Sequence, residues 1–425
     1  MSSGSSAAPR LRDDAPPAWN ESAVRREFPI FSDPDNADLT YLDTAATAQK
    51  PGCVIDREAE VYRRSYANAY RGVYRLGALV DDAIEETRQS VRGLIGAASS
   101  EEIVFTSGTT AAINIAALGW SRRFLQPGDE ILLSPLEHHA NIVPWHLVAG
   151  EHGARLTWMP LTPDGRIDLD RLDEAFTPRT RMVAVTGMSN VLGTIPPVRE
   201  IAARAKRAGA LILVDAAQSI PHGGIDVQRD GIDLLAFSGH KLYGPSGVGV
   251  LYGRRELLNA MQPALGGGHM IERVSFDACT WAAAPARFEA GTLPIAQVIA
   301  LKTAIDYVRG LGFEAIHSHE QRLLAAAHER LSAIPGLRIL GPAPDQKGPI
   351  ISFVTEGAAA QDVALLLDRQ GIAVRHGHHC AMPLHEQLLQ IPASVRASFG
   401  VYNLLDDVER LASGLERVRQ RLRLT

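Results

Sequence analysis

The chain has 425 residues, 46% hydrophobic and 21% charged, a composition that excludes wholesale disorder and predicts two or three structural units with cores of their own. Lys and Arg total 43 against 48 Asp and Glu, and this formal charge of −5 argues against a nucleic-acid binder; no apolar run reaches the ~18 residues of a membrane span. Three cysteines, Cys53, Cys279 and Cys380, cannot build a disulfide framework and suit a reducing cytoplasm.

Residues 1–20 read as a disordered tail. Met1–Ala18 is rich in Ser, Ala and Pro, lacks a signal-like apolar stretch, and carries Asp13 and Asp14, which count against a transit peptide. A helix is expected over 21–27. Buried-type strands follow at Glu102–Thr106, Glu130–Ser134, Arg155–Pro160, Arg181–Thr186, Ala210–Asp215, Asp233–Ser238 and Gly247–Tyr252, short and rich in Val, Ile and Leu. Between most of them lie helical stretches, among them Gly77–Gly96 and Val198–Ala208, the latter closed by Gly209 as a C-cap. This alternation predicts an α/β domain with a mostly parallel sheet over 21–289, although the first helix is expected to pack on the second unit. That unit, a smaller α+β domain over 290–425, would hold helices at Leu293–Leu311, His317–Ala333 and Gln361–Gln370. Its strands would be Leu337–Leu340, Ile350–Val354, Ala373–Val374 and Arg396–Ser398. Leu404, Val408, Leu411, Leu415, Val418 and Leu422 step by 4, 3, 4, 3 and 4, which makes an amphipathic helix with Asn403 and Asp406 as N-cap and N3 partner.

The strongest chemical signal is Ser238-Gly239-His240-Lys241 at a strand exit, since an ammonium is costly to bury there without a purpose. Such an amine can form a Schiff base with an aldehyde, and pyridoxal phosphate is the obvious one. That cofactor needs an anion site, a carboxylate for its pyridinium nitrogen and an aromatic partner. Ser107-Gly108-Thr109-Thr110 opens a helix, as a phosphate site or simply as a cap. Asp215 ends an apolar strand, where a carboxylate points into the ligand crevice, and Gln218 could bond a ring hydroxyl. His138, in Glu137-His138-His139-Ala140-Asn141, could stack on the ring or serve as a cap.

Near the C-terminus, His376, His378 and His379 crowd Cys380, too tightly for a tetrahedral metal site from one loop, so no metal is expected. A lone thiol among imidazoles reads instead as reactive or as inert, and Arg396 could clamp a carboxylate bidentately. Cys53 and Cys279 read as structural. Gly244–Gly249 is glycine-rich but carries neither a phosphate-loop nor a dinucleotide pattern.

Taken together, the segments at 137–145, 189–193 (Ser-Asn-Val-Leu-Gly), 238–245, 287–292 (Arg-Phe-Glu-Ala-Gly-Thr) and 377–383 (Gly-His-His-Cys-Ala-Met-Pro) resemble, in collinear order over about 23–425, the group II cysteine desulfurases. These are SUF-type, NifS-related members of the class V aminotransferase family. The resemblance implies fold type I of the pyridoxal-phosphate transferases and a homodimer with shared active sites. It implies desulfuration of L-cysteine to L-alanine, with the sulfur carried as a persulfide to a SUF-type acceptor protein for iron–sulfur cluster assembly. Selenocysteine lyase, cysteine sulfinate desulfinase and other class V activities are the alternatives, and a weakly active scaffold is a further one. On this resemblance Lys241 would hold the cofactor and move the Cα proton, His138 would stack and Asp215 would pair with the ring nitrogen. Gln218 and Asn190 would contact the ring hydroxyl and the substrate side. Thr109, Thr110, Ser238 and His240 would bind phosphate, and Thr292 would reach the phosphate of the partner subunit. Cys380 would take the sulfur, and Arg396, with Arg375, would bind the substrate. The sequence departs from the family pattern at Tyr74 (more often His), Ala111 (often Glu), His269 (usually Ser or Glu) and Leu293 (commonly Pro).

Overall fold

A computed structural model describes residues 19–70 and 72–424, so the expected tail over 1–18 and Arg71 fall outside the described residues. All seven predicted strands form, and they form one sheet: β1 Ile103–Thr106, β2 Glu130–Leu133, β3 Arg155–Trp158, β4 Thr180–Thr186, β5 Leu211–Asp215, β6 Leu234–Ser238 and β7 Gly249–Gly253. The spatial order is β1-β7-β6-β5-β4-β2-β3. Only β7 runs against its neighbours.

The strands are apolar throughout because both faces are covered. Val183 and Val185 of β4, Ile212 and Val214 of β5, and Leu235 and Phe237 of β6 join one cluster with Val80, Ile84 and Ile201. The intervening Met182, Ala184, Leu213, Leu234 and Ala236 join a second cluster with Ile113, Trp120, Trp145 and Val148 on the opposite face. This is the period-2 alternation of a strand read on two buried faces. The edge strand β3 differs from expectation: with a neighbour on one side only, it leaves Arg155 and Trp158 exposed. Gly96 (φ 67°) and Gly209 (φ 73°) close the helices Arg75–Ile95 and Val198–Ala208 in the left-handed conformation that glycine adopts without penalty.

A second sheet contains β8 Leu337–Leu340, β9 Ile350–Thr355, β10 Arg375–Gly377 and β11 Ser394–Ser398, antiparallel in the order β8-β9-β11-β10. Leu323, Leu331, Leu411 and Leu415, from the helices Phe313–Ser332 and Leu405–Leu422, pack on it. The cap of the last helix sits one residue later than expected. The Asp407 carboxylate accepts from the Leu404 N–H at 3.0 Å, and the Asn403 side chain instead accepts from the Gly400 N–H at 2.8 Å. Two N-terminal segments are stitched to this half of the chain. Arg25, in the helix Glu21–Arg26, pairs with Asp407 at 3.1 Å, and Thr40–Tyr41 runs parallel to Ile372–Ala373, which brings Asp43 opposite Ser398. The parallel strands β4, β5 and β6 all end on one edge, at Thr186, Asp215 and Ser238, and that edge forms the floor of the site.

Candidate active site

A cavity of about 250 Å³ lies above these strand ends and gathers Thr109, Thr110, His138, Asn190, Asp215, Gln218, Ser238, His240, Lys241, Arg375, Cys380 and Arg396, which come from eight separate stretches of sequence. Thr292 alone of the predicted residues is elsewhere. It lines a second cavity of about 190 Å³ with Tyr70, Gly268, His269 and Leu293. His269 stacks there on the Tyr70 ring, centroids 4.3 Å apart, so two of the departures from the family pattern surround Thr292.

The anion end is built first by backbone. Gly108 (φ 150°) precedes the 16-residue helix Thr109–Phe124, whose first N–H groups face the strand ends. The Ser238 hydroxyl accepts from the Thr109 N–H at 2.8 Å and lies 2.7 Å from the Thr109 hydroxyl. This contact requires two close backbones. A Cβ on Gly249 would stand 2.5 Å from the Gly108 Cα and 2.7 Å from the Phe237 carbonyl oxygen, which explains a glycine in the run that matched no nucleotide motif. His240 shares a 3.1 Å hydrogen bond with the Thr47 hydroxyl, and burial with the nearby Lys241 charge pushes its pKa down to about 4.

Lys241 follows in the single turn Gly239–Lys241 and makes no hydrogen bond through its amine to any described residue. Burial lowers its pKa to about 8, against the opposing pull of Asp215. Asp215 is 4% exposed. One of its oxygens accepts from the Ala217 N–H at 3.0 Å, and the other has no partner among the described residues. Burial raises its pKa, while that N–H and Lys241 pull it back. Gln218 donates to the Ala45 carbonyl at 2.7 Å, leaving its own amide oxygen free.

His138 is both a cap and a cavity wall: its Nδ1 accepts from the Ala140 N–H at 3.0 Å, so the neutral ring carries its proton on Nε2. Burial and the Lys241 charge hold its pKa near 4. The preceding Glu137 is fully buried and was not picked out by the sequence reading. Its carboxyl accepts from the Thr186 N–H at 2.7 Å and from the Asn141 amide at 2.6 Å, and Asn141 in turn accepts from the Trp145 ring N–H at 2.9 Å. Burial raises the Glu137 pKa to about 8. The His138 loop is thereby tied to the end of β4.

The thiol loop departs from its sequence reading in two respects. His379 does not supply positive charge to Cys380. His379 turns away to the Ser394 hydroxyl at 3.1 Å, shared with His385 at 2.9 Å, and burial beside Arg396 drives its pKa to about 2, so it is neutral. The charges that interact with Cys380 are those of Lys241 and Arg396. Second, left-handed backbone extends past Gly377 (φ 116°): His379 (φ 51°) and Cys380 (φ 57°) are also left-handed, a strain of roughly 1 kcal/mol each. Two hydrogen bonds hold that strained backbone, from Asn190 Nδ2 to the His379 carbonyl at 2.6 Å and from the His139 N–H to the Cys380 carbonyl at 2.6 Å. One hydrogen of the Asn190 amide is thus used by the loop, while the residue also lines the cavity. Cys380 is exposed. So are Cys53, on the outer face of the helix Gly52–Glu60, and Cys279, in the ribbon Ile271–Val274/Cys279–Trp281, so neither has the buried setting of a structural cysteine.

Arg396 is 2% exposed, with Nη1 donating to the Asn190 carbonyl and Nη2 to Asp43 Oδ1, both at 2.9 Å. Its Nε is buried without a partner. Among the described residues no three His, Cys, Asp or Glu side chains are grouped as metal ligands.

A family model for class V aminotransferases matches residues 40–411. The chain belongs to the class V aminotransferase family. Within it the chain falls among the cysteine desulfurases. It is 49% identical over 401 residues to a cysteine desulfurase of Serratia proteamaculans, covering 94% of this chain and 98% of that one. The crystal structure of the Escherichia coli cysteine desulfurase CsdA superposes with a TM-score of 0.89 at 39% identity, over 95% of this chain and 99% of that one. An apo cysteine desulfurase from Thermococcus onnurineus NA1 gives 0.89 at 37% identity, over 96% and 100%.

Class V enzymes are pyridoxal-phosphate dependent, and the residues present fit that group. A helix N-terminus with hydroxyls suits a phosphate, and a buried carboxylate with one unpartnered oxygen suits a protonated ring nitrogen. A free amine with a depressed pKa suits an aldehyde, and a neutral imidazole on the cavity wall suits a flat ring. Asp43 is the residue at this class V site that sequence reasoning missed. No local pattern marked it: Asp43 lies two residues beyond the short strand Thr40–Tyr41, and its partner Arg396 is far away in the sequence.

Proposed function

We propose that the protein converts L-cysteine to L-alanine and retains the sulfur as a persulfide on Cys380. The observation that carries this reading is that the cavity lined by Lys241 and Asp215 is also lined by an exposed thiol and a buried arginine. When bound, pyridoxal phosphate engages the substrate amine and supplies a ring that accepts the electrons of the Cα–H bond. Lys241 Nζ takes that proton and later returns it. Asp215 keeps the ring nitrogen protonated, and His138 holds one face of the ring. Thr109, Thr110, Ser238 and His240 hold the phosphate, with Gln218 at the ring hydroxyl. Arg396, assisted by Arg375, orients the substrate carboxylate. The Cys380 thiolate then forms an S–S bond to the substrate sulfur as the C–S bond breaks; with protons returned, L-cysteine and a thiol become L-alanine and a persulfide.

The persulfide would pass to an acceptor protein of the SUF type and on to iron–sulfur cluster assembly, which makes the enzyme a sulfurtransferase of the cysteine desulfurase class. A homodimer is part of this reading. Thr292 sits outside its own subunit's cavity, where it can serve the partner's phosphate; Val73 and Tyr74, close in sequence to Tyr70 of the same second cavity, and Val274 and Phe276, of the hairpin over 271–281, are exposed apolar residues. Three free thiols suit a cytoplasmic site of action. The test is a joint assay: purified protein with L-cysteine and a reductant should release alanine and sulfide in equal amounts. Alanine without sulfide, or neither, would overturn the reading.

A further inference from the structure

We propose that Asp43 is a positioning residue for substrate recognition, its carboxylate fixing the Arg396 guanidinium so that the unpartnered Nε is presented to the substrate carboxylate. The proposal rests on the reading of Arg396 as the carboxylate-binding group and deepens it.

The geometry is that of a two-point clamp. Arg396 enters from β11 and is held at Nη1 by the Asn190 carbonyl and at Nη2 by Asp43 Oδ1, each at 2.9 Å. Two anchors from different parts of the chain fix both the position and the plane of a guanidinium, where one would leave it free to pivot. Besides the second hydrogen on each Nη, this leaves Nε, the one guanidinium nitrogen with no partner, buried in a residue that lines the cavity, and a substrate carboxylate there would satisfy it. The other Asp43 oxygen lies 3.7 Å from Arg375 Nη1, so one carboxylate spans both arginines. Asp43 itself is fixed from behind. Its carbonyl accepts from the Ala46 N–H at 3.0 Å and the Thr47 N–H at 3.3 Å, and the segment pairs with Ser398. Its charge also stabilises the guanidinium, against the burial that lowers the Arg396 pKa.

L-Serine and ethanolamine differ only by the carboxylate, and neither carries sulfur that could be transferred. Their dissociation constants are measured on the holoenzyme by titrating the visible absorption of the bound cofactor, and checked as competition against L-cysteine. In the native protein L-serine should bind tighter. In Asp43→Asn, which keeps size and one acceptor oxygen, the ethanolamine-to-serine ratio of dissociation constants should fall by about tenfold, with ethanolamine changed less than about threefold. Asp43→Glu, which restores the charge, should keep a ratio nearer the native one. If both ligands weaken together in Asp43→Asn and the ratio stays native, Asp43 is merely structural and the proposal is overturned. Arg396→Ala separates the two levels. If the ratio survives in that variant, the reading of Arg396 itself is wrong. If it collapses there but not in Asp43→Asn, only the inference about Asp43 fails.

Discussion

Asn190 donates from its side-chain amide to the carbonyl of His379 at 2.6 Å, while its own backbone carbonyl accepts from Arg396. One residue, on the loop after β4, therefore holds both the backbone that presents Cys380 and the arginine proposed to orient the substrate. Asn190→Ala should loosen the strained loop at 379–380 without touching the anion site. The expected outcome is a drop of about tenfold or more in alanine formation, with retention of the cofactor's visible absorption. Loss of the cofactor together with activity would assign Asn190 to cofactor binding instead.

Lys241→Ala should fold, lose the visible absorption of the bound cofactor and lose L-cysteine turnover, since no other amine lines the cavity among the described residues. Retained absorption and turnover would remove Lys241 from its proposed role.

The depressed pKa of Lys241, about 8, has a consequence for the cofactor-free protein. Only the neutral amine attacks an aldehyde, and neutral amine accumulates as pH rises through that value. The rate of reloading apoprotein with pyridoxal phosphate should climb between about pH 7 and 9 and then level off. A rate still climbing toward pH 10.5 would mean an ordinary, solvated lysine.

Gly249→Ala should disturb folding and cofactor binding together, because the added methyl meets backbone at 2.5 Å from Gly108 and 2.7 Å from Phe237. The expected signs are a lower thermal midpoint and weaker cofactor retention than in Gly247→Ala, where a methyl meets nothing within 4 Å despite a φ of +77°. Equal effects would argue against the close approach.

Lys347 is 1% exposed, and among the described residues its ammonium bonds only to the Leu340 carbonyl, at 3.4 Å. Burial lowers its pKa from 10.5 to about 7. The folded state thus binds fewer protons than the unfolded one between about pH 7 and 10.5, so stability rises with pH across that window, and the full penalty applies below it. Lys347→Met should stabilise the protein at pH 7 by more than ~1 kcal/mol, with the gain shrinking toward pH 10. A destabilised variant in a urea titration at pH 7 would contradict this.

The sheet was legible because each of its strands is a short apolar run between turn signals, and the residues proposed to hold the cofactor were legible as cavity-lining groups because Asp215, Ser238 and Lys241 sit at or just past the ends of such runs. Asp43 was not, since its partner Arg396 is distant in sequence and an ion pair of this kind leaves no local pattern. Nor was the direction of His379. A histidine beside a cysteine reads as its electrostatic partner, but consecutive left-handed residues turn that ring toward Ser394. The cap at Leu404 was misplaced by one residue because Asn403 is a good capping residue by type, and only the fold shows its oxygen already committed to Gly400.

The sulfur acceptor is tested most directly by mass spectrometry. Protein exposed briefly to L-cysteine, alkylated and digested should carry one additional sulfur on the peptide containing Cys380, and Cys380→Ser should retain the cofactor yet release no alanine. Additional sulfur on the Cys53 or Cys279 peptide, or full L-cysteine turnover by Cys380→Ser, would contradict the assignment.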